Sequence, residues 1–356
     1  MARGQGSRLY PLTQSICKPA LPFGNSYRII DFVLSNLEQA QLNSVTILAP
    51  PNAKTLTTHI QTNWTNVHYI PADEEHSDVG NATSVYQAIS QLPNETEIVG
   101  IFPSDHILNI DIHQTLEQHC KNKHHASILC MPHLSTDNMP FGVLQTRGHT
   151  IVNFVEKPSF VPTEWTIKNQ CLISMGIYWF SKETLLNILS EDSNNPNSSH
   201  DFGTDVIPAL IRQTDTQAIL IDPETPWADV GTIDQYWSAH WCFTPRVLEE
   251  WSISQTGSTL ALHEHLNVSN MYSKSSIPPS TTVYKSIILN NVIIGTGCTI
   301  EHMLIDANCI VEDGVSLTPN TIFEGHVLNA TKCVVIPKNS RVYNDSTSSK
   351  VIVVPR

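Results

Sequence analysis

Two cationic side chains lie close to a pair of glycines near the start of the chain. The segment G-Q-G-S-R-L holds Gly4, Gly6, Ser7 and Arg8, and Lys18 follows in K-P-A some ten residues after Arg8. Glycine lets the backbone approach a phosphate closely, and the N–H groups of such a loop can point at its oxygens. An ordinary turn explains a lone G-x-G equally well. Together with Arg8 and Lys18, the segment favours a triphosphate site.

A carboxylate follows one of the apolar runs of the chain. Asp105 comes just after residues 97–102, which read as a buried strand. Side chains at the carboxyl end of a parallel strand face the ligand crevice of an α/β sheet. Mg²⁺ takes carboxylate and phosphate oxygens and needs only one or two protein carboxylates. Asp105 is therefore a candidate Mg²⁺ ligand, and a cap or turn role is the alternative.

A charge pair follows the strand-like residues 151–155. Glu156 and Lys157 stand directly before Pro158, and the proline predicts extended backbone at Lys157. A lysine there would meet a sugar phosphate as a point charge, while the glutamate would accept hydrogen bonds from hydroxyl groups. Taken from the residues alone, a solvated charge pair on a sheet edge explains these two residues as well.

Composition narrows the class of protein. The chain has 356 residues and a formal net charge of −13, which argues against a nucleic-acid partner because phosphate backbones need basic surfaces. No run of 18 apolar residues occurs, so no membrane span is expected. The eight cysteines contain no C-x-x-C pair, which fits reduced thiols in the cytoplasm.

The first two-thirds of the chain alternate strand-like and helix-like segments. Helices are expected at 30–41, 84–92 and 200–212, with Asp201 capping the last. This alternation predicts an α/β domain with a mostly parallel sheet. Short apolar runs predict strands at 44–50, 97–103, 126–131 and 218–221.

A six-residue rhythm begins near residue 281. It is carried by Ile287, Ile293, Thr299, Ile305, Val311, Leu317 and Phe323, while Ile288, Ile294 and Ile300 run one residue out of phase. Such a period is typical of a parallel β-helix, whose coils stack their aliphatic residues. The expected domains are 1–245 and 281–356, joined by a connecting region at 246–280.

The chain resembles a known family from its start. The run GQGSRLYPLTQSICKPALPFGNSYRIIDFVLSNL is similar to the start of bacterial glucose-1-phosphate adenylyltransferases, or ADP-glucose pyrophosphorylases. Its F-G-x-x-[YF]-R-I-I-D-F-x-L-S-N part separates that family from relatives using other sugar nucleotides. Further matches come in the family's order: F-G-V at 141–143, F-V-E-K-P at 154–158, S-M-G-I-Y at 174–178, S-S-H-D-F-G at 198–203 and D-V-G-T at 229–232.

The resemblance implies a fold, a reaction and partners. The fold is a Rossmann-like nucleotidyltransferase domain followed by a left-handed β-helix. The reaction is ATP plus glucose 1-phosphate giving ADP-glucose plus diphosphate, with Mg²⁺, in glycogen synthesis. By this resemblance the protein is expected to be a cytoplasmic, allosteric homotetramer that binds neither nucleic acid nor membrane. A hetero-oligomer with a paralogue is the alternative assembly.

The resemblance also implies roles for single residues. Arg8, Lys18 and Asp105 would be catalytic, and Asp105 and Asp229 would hold the metal. The nucleotide would contact Gly4, Gly6, Ser7, Arg8 and Gly80. The sugar phosphate would contact Gly142, Glu156, Lys157 and Ser174.

The chain departs from the family pattern at several places. The family has a buried strand before its glycine-rich loop, and that first strand is apparently missing here, which predicts unpaired neighbours and exposed core surface. Arg3 replaces a glycine, Asp78 replaces an aromatic residue, Ser104 replaces a glycine and Ala228 replaces a basic residue.

Two other functions stay open on the sequence. The altered stretch around Asp78 and the short start fit a regulatory subunit of the same fold with weak catalysis. An enzyme for another sugar nucleotide is the second alternative. The retained charged residues favour an active adenylyltransferase.

Overall fold

The amino-terminal domain is an α/β domain. The computed structural model describes residues 6–24, 27–42, 44–49, 53–71, 80–89, 91–121, 125–243, 270–271, 275 and 277–356. Gly4, Arg3, Asp78 and most of the connecting region at 246–280 lie outside these residues.

The helices of the described chain are α1 (Ile29–Gln39), α2 (Lys54–Asn63), α3 (Asn81–Ile89), α4 (Ile112–Lys121), α5 (Lys182–Ser193), α6 (Ile207–Gln213) and α7 (Ile233–Cys242). Short helical turns form at Ser7–Leu9, Lys18–Ala20, Thr163–Trp165 and Phe202–Val206. The strands of this domain are β1 (Pro22–Phe23), β2 (Tyr27–Arg28), β3 (Val45–Ala49), β4 (Val67–Pro71), β5 (Ile98–Ile101), β6 (His106–Leu108), β7 (Ala126–Leu134), β8 (Val143–Arg147), β9 (Thr150–Val155), β10 (Gln170–Ser181), β11 (Thr216–Leu220) and β12 (Trp227–Asp229).

The main sheet contains six strands in the order β5-β10-β7-β11-β9-β8. β5 and β7 both pair antiparallel with β10, and β7 pairs parallel with β11, so β5, β7 and β11 run in one direction. The four predicted apolar runs form β3, β5, β7 and β11, which confirms the α/β assignment. The long antiparallel strand β10 between β5 and β7 was not predicted, because its neighbours in space are distant in sequence.

The sheet is divided. β3 pairs with β4 in a separate two-stranded parallel sheet, and β5 forms the edge of the main sheet. Within the described residues, β3 and β5 thus each have one strand partner.

Helix α1 is held against β6 by buried polar side chains. Asp31 is fully buried and accepts hydrogen bonds from the backbone N–H of Arg28 (2.7 Å) and from Trp64 Nε1 (2.8 Å). Asn36 donates to the carbonyl of Leu108 (3.0 Å) and accepts from the N–H of Ile110 (2.7 Å). The polar residues of the R-I-I-D-F-x-L-S-N segment therefore fix α1 and β6 to each other.

The carboxyl-terminal domain is built of short stacked strands, as the six-residue rhythm predicted. They are β13 (Asn270–Met271), β14 (Thr282–Tyr284), β15 (Ile287–Ile288), β16 (Ile293–Ile294), β17 (Thr299–Glu301), β18 (Met303–Ile305), β19 (Ile310–Val311), β20 (Ser316–Leu317), β21 (Phe323–Gly325), β22 (Leu328–Asn329), β23 (Val334–Ile336), β24 (Ser340–Asn344) and β25 (Val351–Pro355). The pairings β15–β18, β16–β19 and β17–β20 are parallel.

The phase of the repeat differs from the sequence prediction. Ile288 lies opposite Ile305, and Ile294 lies opposite Val311, so one coil spans 17 residues rather than a multiple of six. Ile294 is 5% exposed, whereas Ile293 is 60% exposed. The out-of-phase set 288, 294 and 300 is thus the inward set of the coil formed by β15, β16 and β17. One residue is skipped before Ile305 continues the stack.

The two domains share one apolar core. Leu9 and Tyr236 of the first domain belong to the same buried cluster as Leu289 and Val335 of the β-helix. Polar contacts surround it: the N–H of Lys332 donates to Asp234 (2.8 Å), and Nζ of Lys338 lies 3.2 Å from Oγ of Ser15. Across the described part of the chain, every helix is too short or too polar to cross a bilayer.

Candidate active site

The glycine-rich loop has a fixed shape. Gly6 has φ 59°, in the left-handed region that suits glycine, and the turn Ser7–Leu9 follows it. Thr13 Oγ1 donates to the carbonyl of Gly6 at 2.8 Å. Leu9 is fully buried, while Ser7 and Arg8 are exposed. The loop is therefore anchored by its apolar residue and leaves its polar side chains free to meet a ligand.

A charged centre forms where three segments that are distant in sequence meet. Nζ of Lys18 lies 2.8 Å from Oδ2 of Asp105 and 3.3 Å from Oδ1 of Asp229. Arg8 lies beside them, because a Cβ atom on Gly231 would be 3.3 Å from its Nη2. Asp105 follows β5 and Asp229 ends β12, which pairs with β6. The structure thus brings Arg8, Lys18, Asp105 and Asp229 together, as the sequence predicted.

Burial and charge control the ionisation of this centre. Burial raises the pKa of Asp105, but the positive charge of Lys18 and its hydrogen bond to the carboxylate help to outweigh burial and hold this pKa below its usual value. The carboxylate is therefore ionised at neutral pH. Burial lowers the pKa of His106, which favours the neutral imidazole.

His106 and Trp227 belong to this centre, although the sequence assigned neither a role. Trp227 Nε1 donates to Nδ1 of His106 at 3.2 Å, so the hydrogen of the neutral ring lies on Nε2. Nε2 lies 3.8 Å from Oδ1 of Asp229. The one available signal was that His106 directly follows Asp105. The partnership with Trp227 depends on the β6–β12 pairing, which no local pattern reveals.

A second group of predicted residues surrounds the carboxylate of Glu156. Cβ atoms added to Gly142 and Gly203 would lie 2.8 Å and 2.6 Å from Oε2 of Glu156. The N–H of Ser174 donates to the carbonyl of Gly142 at 2.8 Å. Three predicted site residues therefore lie next to one another: Gly142, Glu156 and Ser174. Gly203, for which no role was predicted, also lies beside Glu156.

Lys157 differs from its sequence prediction in backbone conformation. Its φ is 45°, in the left-handed region, and not the extended conformation expected before Pro158. Its N–H donates to the carbonyl of Phe141 at 3.2 Å, and this tertiary hydrogen bond outweighs the usual preference before proline. The side chain is 63% exposed, and Nζ lies 3.0 Å from Oε1 of Glu156.

Ser174 lies at an irregularity of β10. The pairing of β10 with β7 shifts register between Ser174 and Tyr178, and Ser174 Oγ accepts from the N–H of Gly176 at 3.2 Å. Burial raises the pKa of Tyr178, whose hydroxyl also bonds to the Ser174 side chain. Tyr178 is therefore a neutral hydrogen-bonding group below Ser174.

The two groups of residues adjoin each other. A Cβ atom on Gly176 would lie 3.9 Å from Cε1 of His106. The rings of Phe141 and Trp227 pack with centroids 5.3 Å apart. The charged centre and the Glu156 group are thus neighbouring parts of one site.

Gly80 packs against the backbone of the S-S-H-D-F-G segment at 198–203. A Cβ atom on Gly80 would lie 2.1 Å from the carbonyl oxygen of His200, and the N–H of Ala82 donates to the same oxygen at 2.9 Å. Asp201 caps the following turn by accepting from the N–H of Thr204 at 2.9 Å, as predicted. The nucleotide contact expected of Gly80 stays a prediction.

The donor set fits a hard divalent cation. The described residues contain no cluster of three or more His, Cys, Asp or Glu side chains placed to hold a metal. Asp105 and Asp229 nevertheless converge on one ammonium group, so their oxygens already surround a positive charge. Two carboxylates completed by ligand phosphate oxygens and water are a typical Mg²⁺ environment.

Comparison with known proteins gives matches along the chain. Residues 1–244 match the nucleotidyl transferase family, and residues 256–321 match the GlmU-like, C-terminal hexapeptide family. A glucose-1-phosphate adenylyltransferase of Aliivibrio fischeri is 31% identical, over 96% of this chain and 98% of the relative. Those of Cutibacterium acnes and Vibrio vulnificus are each 30% identical; the alignments cover 89% and 96% of this chain and 90% and 98% of the relatives.

Proposed function

Because the chain belongs to the nucleotidyl transferase family and, within it, to the glucose-1-phosphate adenylyltransferases, we propose that it converts ATP and α-D-glucose 1-phosphate into ADP-glucose and diphosphate, for glycogen synthesis. The observation that carries this proposal is the convergence of Asp105 and Asp229 on the ammonium group of Lys18. Such a centre places positive and negative side chains together, as a nucleotidyl transfer between charged phosphates requires.

The nucleophile is a phosphate oxygen of the sugar phosphate. It attacks the α-phosphorus of ATP, the new P–O bond forms in line with the bond to the leaving diphosphate, and that bond breaks. A sugar phosphate is already ionised at neutral pH, so no strong general base is required. Catalysis then consists of positioning and charge neutralisation.

Arg8 and Lys18 would neutralise the triphosphate and the leaving diphosphate. Both side chains are cationic and adjoin the glycine-rich loop, where a Cβ atom on Gly6 would lie 3.6 Å from Cβ of Lys18. The N–H groups of Gly4, Gly6 and Ser7 would donate hydrogen bonds to phosphate oxygens, and Gly80 would contact the nucleotide.

Nucleotidyl transferases of this family generally use a divalent metal. We propose Mg²⁺, held by Asp105 and Asp229. When bound, it would neutralise charge on the reacting phosphates. The protein itself positions Asp229, because the β12–β6 pairing fixes its backbone and His106 lies near its carboxylate.

The sugar phosphate would bind in the neighbouring group of residues. Lys157 would meet its phosphate as a point charge, and Glu156 would accept hydrogen bonds from hydroxyl groups of the hexose. The close approach of Gly142 and Gly203 to Glu156 sets the position of that carboxylate. Ser174, 7% exposed, would contribute a hydroxyl beside Gly142.

Diphosphate release from the purified protein tests the proposal. ATP, UTP, dTTP and GTP should be assayed in parallel with glucose 1-phosphate and Mg²⁺. Turnover with ATP, at least tenfold faster than with the others, is expected. Faster turnover with another nucleotide would identify a different sugar-nucleotide enzyme. Activity that arises only with a co-expressed paralogue would identify a regulatory subunit.

A further inference from the structure

The segment 198–203 connects the two halves of the candidate site. On one side, the carbonyl of His200 accepts from the N–H of Ala82, at the start of α3, at 2.9 Å. On the other side, Gly203 packs against the carboxylate of Glu156. A residue that fixes this segment therefore positions the start of α3 and the Glu156 carboxylate at the same time.

The side chain of Asp192 holds the first residues of this segment. Asp192 lies in the last turn of α5, and its side chain is 8% exposed. Its Oδ1 accepts from the hydroxyl of Ser198 at 2.6 Å, and its Oδ2 lies 2.8 Å from Nδ1 of His200. Oγ of Ser198 in turn accepts from the N–H of His200 at 2.9 Å. Asp192 thus holds His200 directly through the ring and, by way of Ser198, through the backbone.

His200 has a backbone conformation that needs this support. Its φ is 56°, in the left-handed region that residues other than glycine rarely adopt. Such a conformation persists only where the surrounding structure imposes it. Without the two bonds from Asp192, His200 would be free to return to the extended region, and its carbonyl would then turn away from Ala82.

We propose that Asp192 is a positioning residue for both substrates, which acts through Ser198 and His200 and touches neither substrate. The inference rests on the proposed function, because it uses the nucleotide contact at Gly80 and the sugar-phosphate contact at Glu156. Gly80 packs directly on the carbonyl of His200, so it moves when that carbonyl moves. A small misplacement of binding groups, caused by a change far from the reacting atoms, costs a large factor in rate or affinity.

Three substitutions test this role. Asp192→Ala removes both hydrogen bonds and should raise KM for ATP and KM for glucose 1-phosphate about tenfold each. Asp192→Asn keeps an acceptor for Ser198, and its amide N–H can donate to Nδ1 of the other His200 tautomer, so it should recover most of the loss. Glu191→Ala is the matched control, since this exposed neighbour bonds to Gln213 at 2.7 Å, and it should change either KM about twofold or less.

The division between kcat and KM separates positioning from a purely structural role. A variant that is only less stable contains less active protein, so its apparent kcat falls while both KM values stay at wild type. That result for Asp192→Ala would overturn the proposal, as would a rise in only one of the two KM values. If Asp192→Ala does not fold, Ser198→Ala removes one of the bonds and should raise both KM values about fivefold.

Amide hydrogen exchange gives a second readout that does not depend on turnover. The amide of Ala82 should exchange about tenfold faster in Asp192→Ala and at the wild-type rate in Glu191→Ala. Unchanged exchange in Asp192→Ala would overturn the proposal. If the wild-type protein turned over none of the nucleotides, the proposed function would fail, and this exchange readout would still decide whether Asp192 fixes the segment.

Discussion

The ammonium group of Lys18 lies 2.8 Å from the carboxylate of Asp105, and this pair joins the glycine-rich segment to the end of β5. Lys18 is 11% exposed in its side chain and also reaches Asp229 at 3.3 Å. The cation therefore stands between two acids from separate segments, since Asp105 lies between β5 and β6 and Asp229 ends β12. Removing either acid changes the charge balance of the site more than its packing.

Asp105→Asn is the direct test of this charge balance. The substitution keeps the shape and removes the charge, so we expect kcat to fall about 10²–10³-fold, as for the loss of other transition-state charge contacts. Diphosphate release at saturating Mg²⁺ measures it. Asp137→Asn, at an exposed position, is the matched control. A wild-type rate for Asp105→Asn would exclude the metal-ligand role.

Lys157→Gln tests the sugar-phosphate contact. Loss of one charge-assisted contact is expected to raise KM for glucose 1-phosphate about 10- to 100-fold and to leave KM for ATP nearly unchanged. Lys168→Gln is a close control, since Lys168 is exposed and has φ 52° compared with 45° for Lys157. An unchanged KM for the sugar phosphate, or equal effects of both substitutions, would contradict the assignment.

Gly203→Ala tests whether binding of glucose 1-phosphate depends on the position of the Glu156 carboxylate. The new Cβ atom would lie 2.6 Å from Oε2 of Glu156, so the carboxylate has to move and KM for glucose 1-phosphate should rise. In a Glu156→Ala background the clash is gone, and the same glycine substitution should add little. The double-mutant cycle thus expects a coupling of about 1–2 kcal/mol; additive effects would show that Gly203 acts elsewhere.

The sequence predicted the charged residues of the site better than their surroundings. Arg8, Lys18, Asp105 and Asp229 lie in short motifs, and ligand chemistry restricts the residue types there. His106, Trp227 and Gly203 could not be assigned, because their roles depend on pairings between strands far apart in the chain. The extended backbone predicted at Lys157 was wrong, because a tertiary hydrogen bond outweighs the local preference before proline.

The β-helix, too, was only partly predictable from the sequence. Its six-residue rhythm is visible in the sequence, but the inward phase is not, because alternative aliphatic positions such as Ile293 and Ile294 are adjacent. Only the 17-residue stacking of Ile294 on Val311 distinguishes them.

Two neighbouring substitutions test this phase. Ile294→Ala removes a side chain that is 5% exposed and should lower the free energy of unfolding by about 2–5 kcal/mol. Ile293→Ala removes one that is 60% exposed and should change it by about 0.5 kcal/mol or less. Thermal or urea unfolding measures both. The reverse order would mean that Ile293, and not Ile294, lies inside the β-helix.

Asp306→Asn tests a pH dependence of stability. Burial raises the pKa of Asp306 to about 6, compared with about 3.9 in an unfolded chain. The folded state binds this proton more tightly, so the contribution is fully present below about pH 4 and is lost as pH rises to about 6.

Relative to the variant, the wild-type protein should therefore lose about 2–3 kcal/mol of unfolding free energy between pH 4 and pH 7. Urea unfolding across this range, with Asp137→Asn as control, provides the comparison. Parallel curves for wild type and Asp306→Asn would mean that Asp306 titrates normally.

The core shared by the two domains has a consequence for communication within the molecule. Leu9, next to Arg8, belongs to the same buried cluster as Leu289 and Val335 of the β-helix. Because close-packed side chains cannot absorb displacement freely, we expect a displacement of the coil that carries Leu289 to move Leu9 and the glycine-rich loop with it. We therefore expect a ligand or partner that displaces this coil to change the position of Arg8.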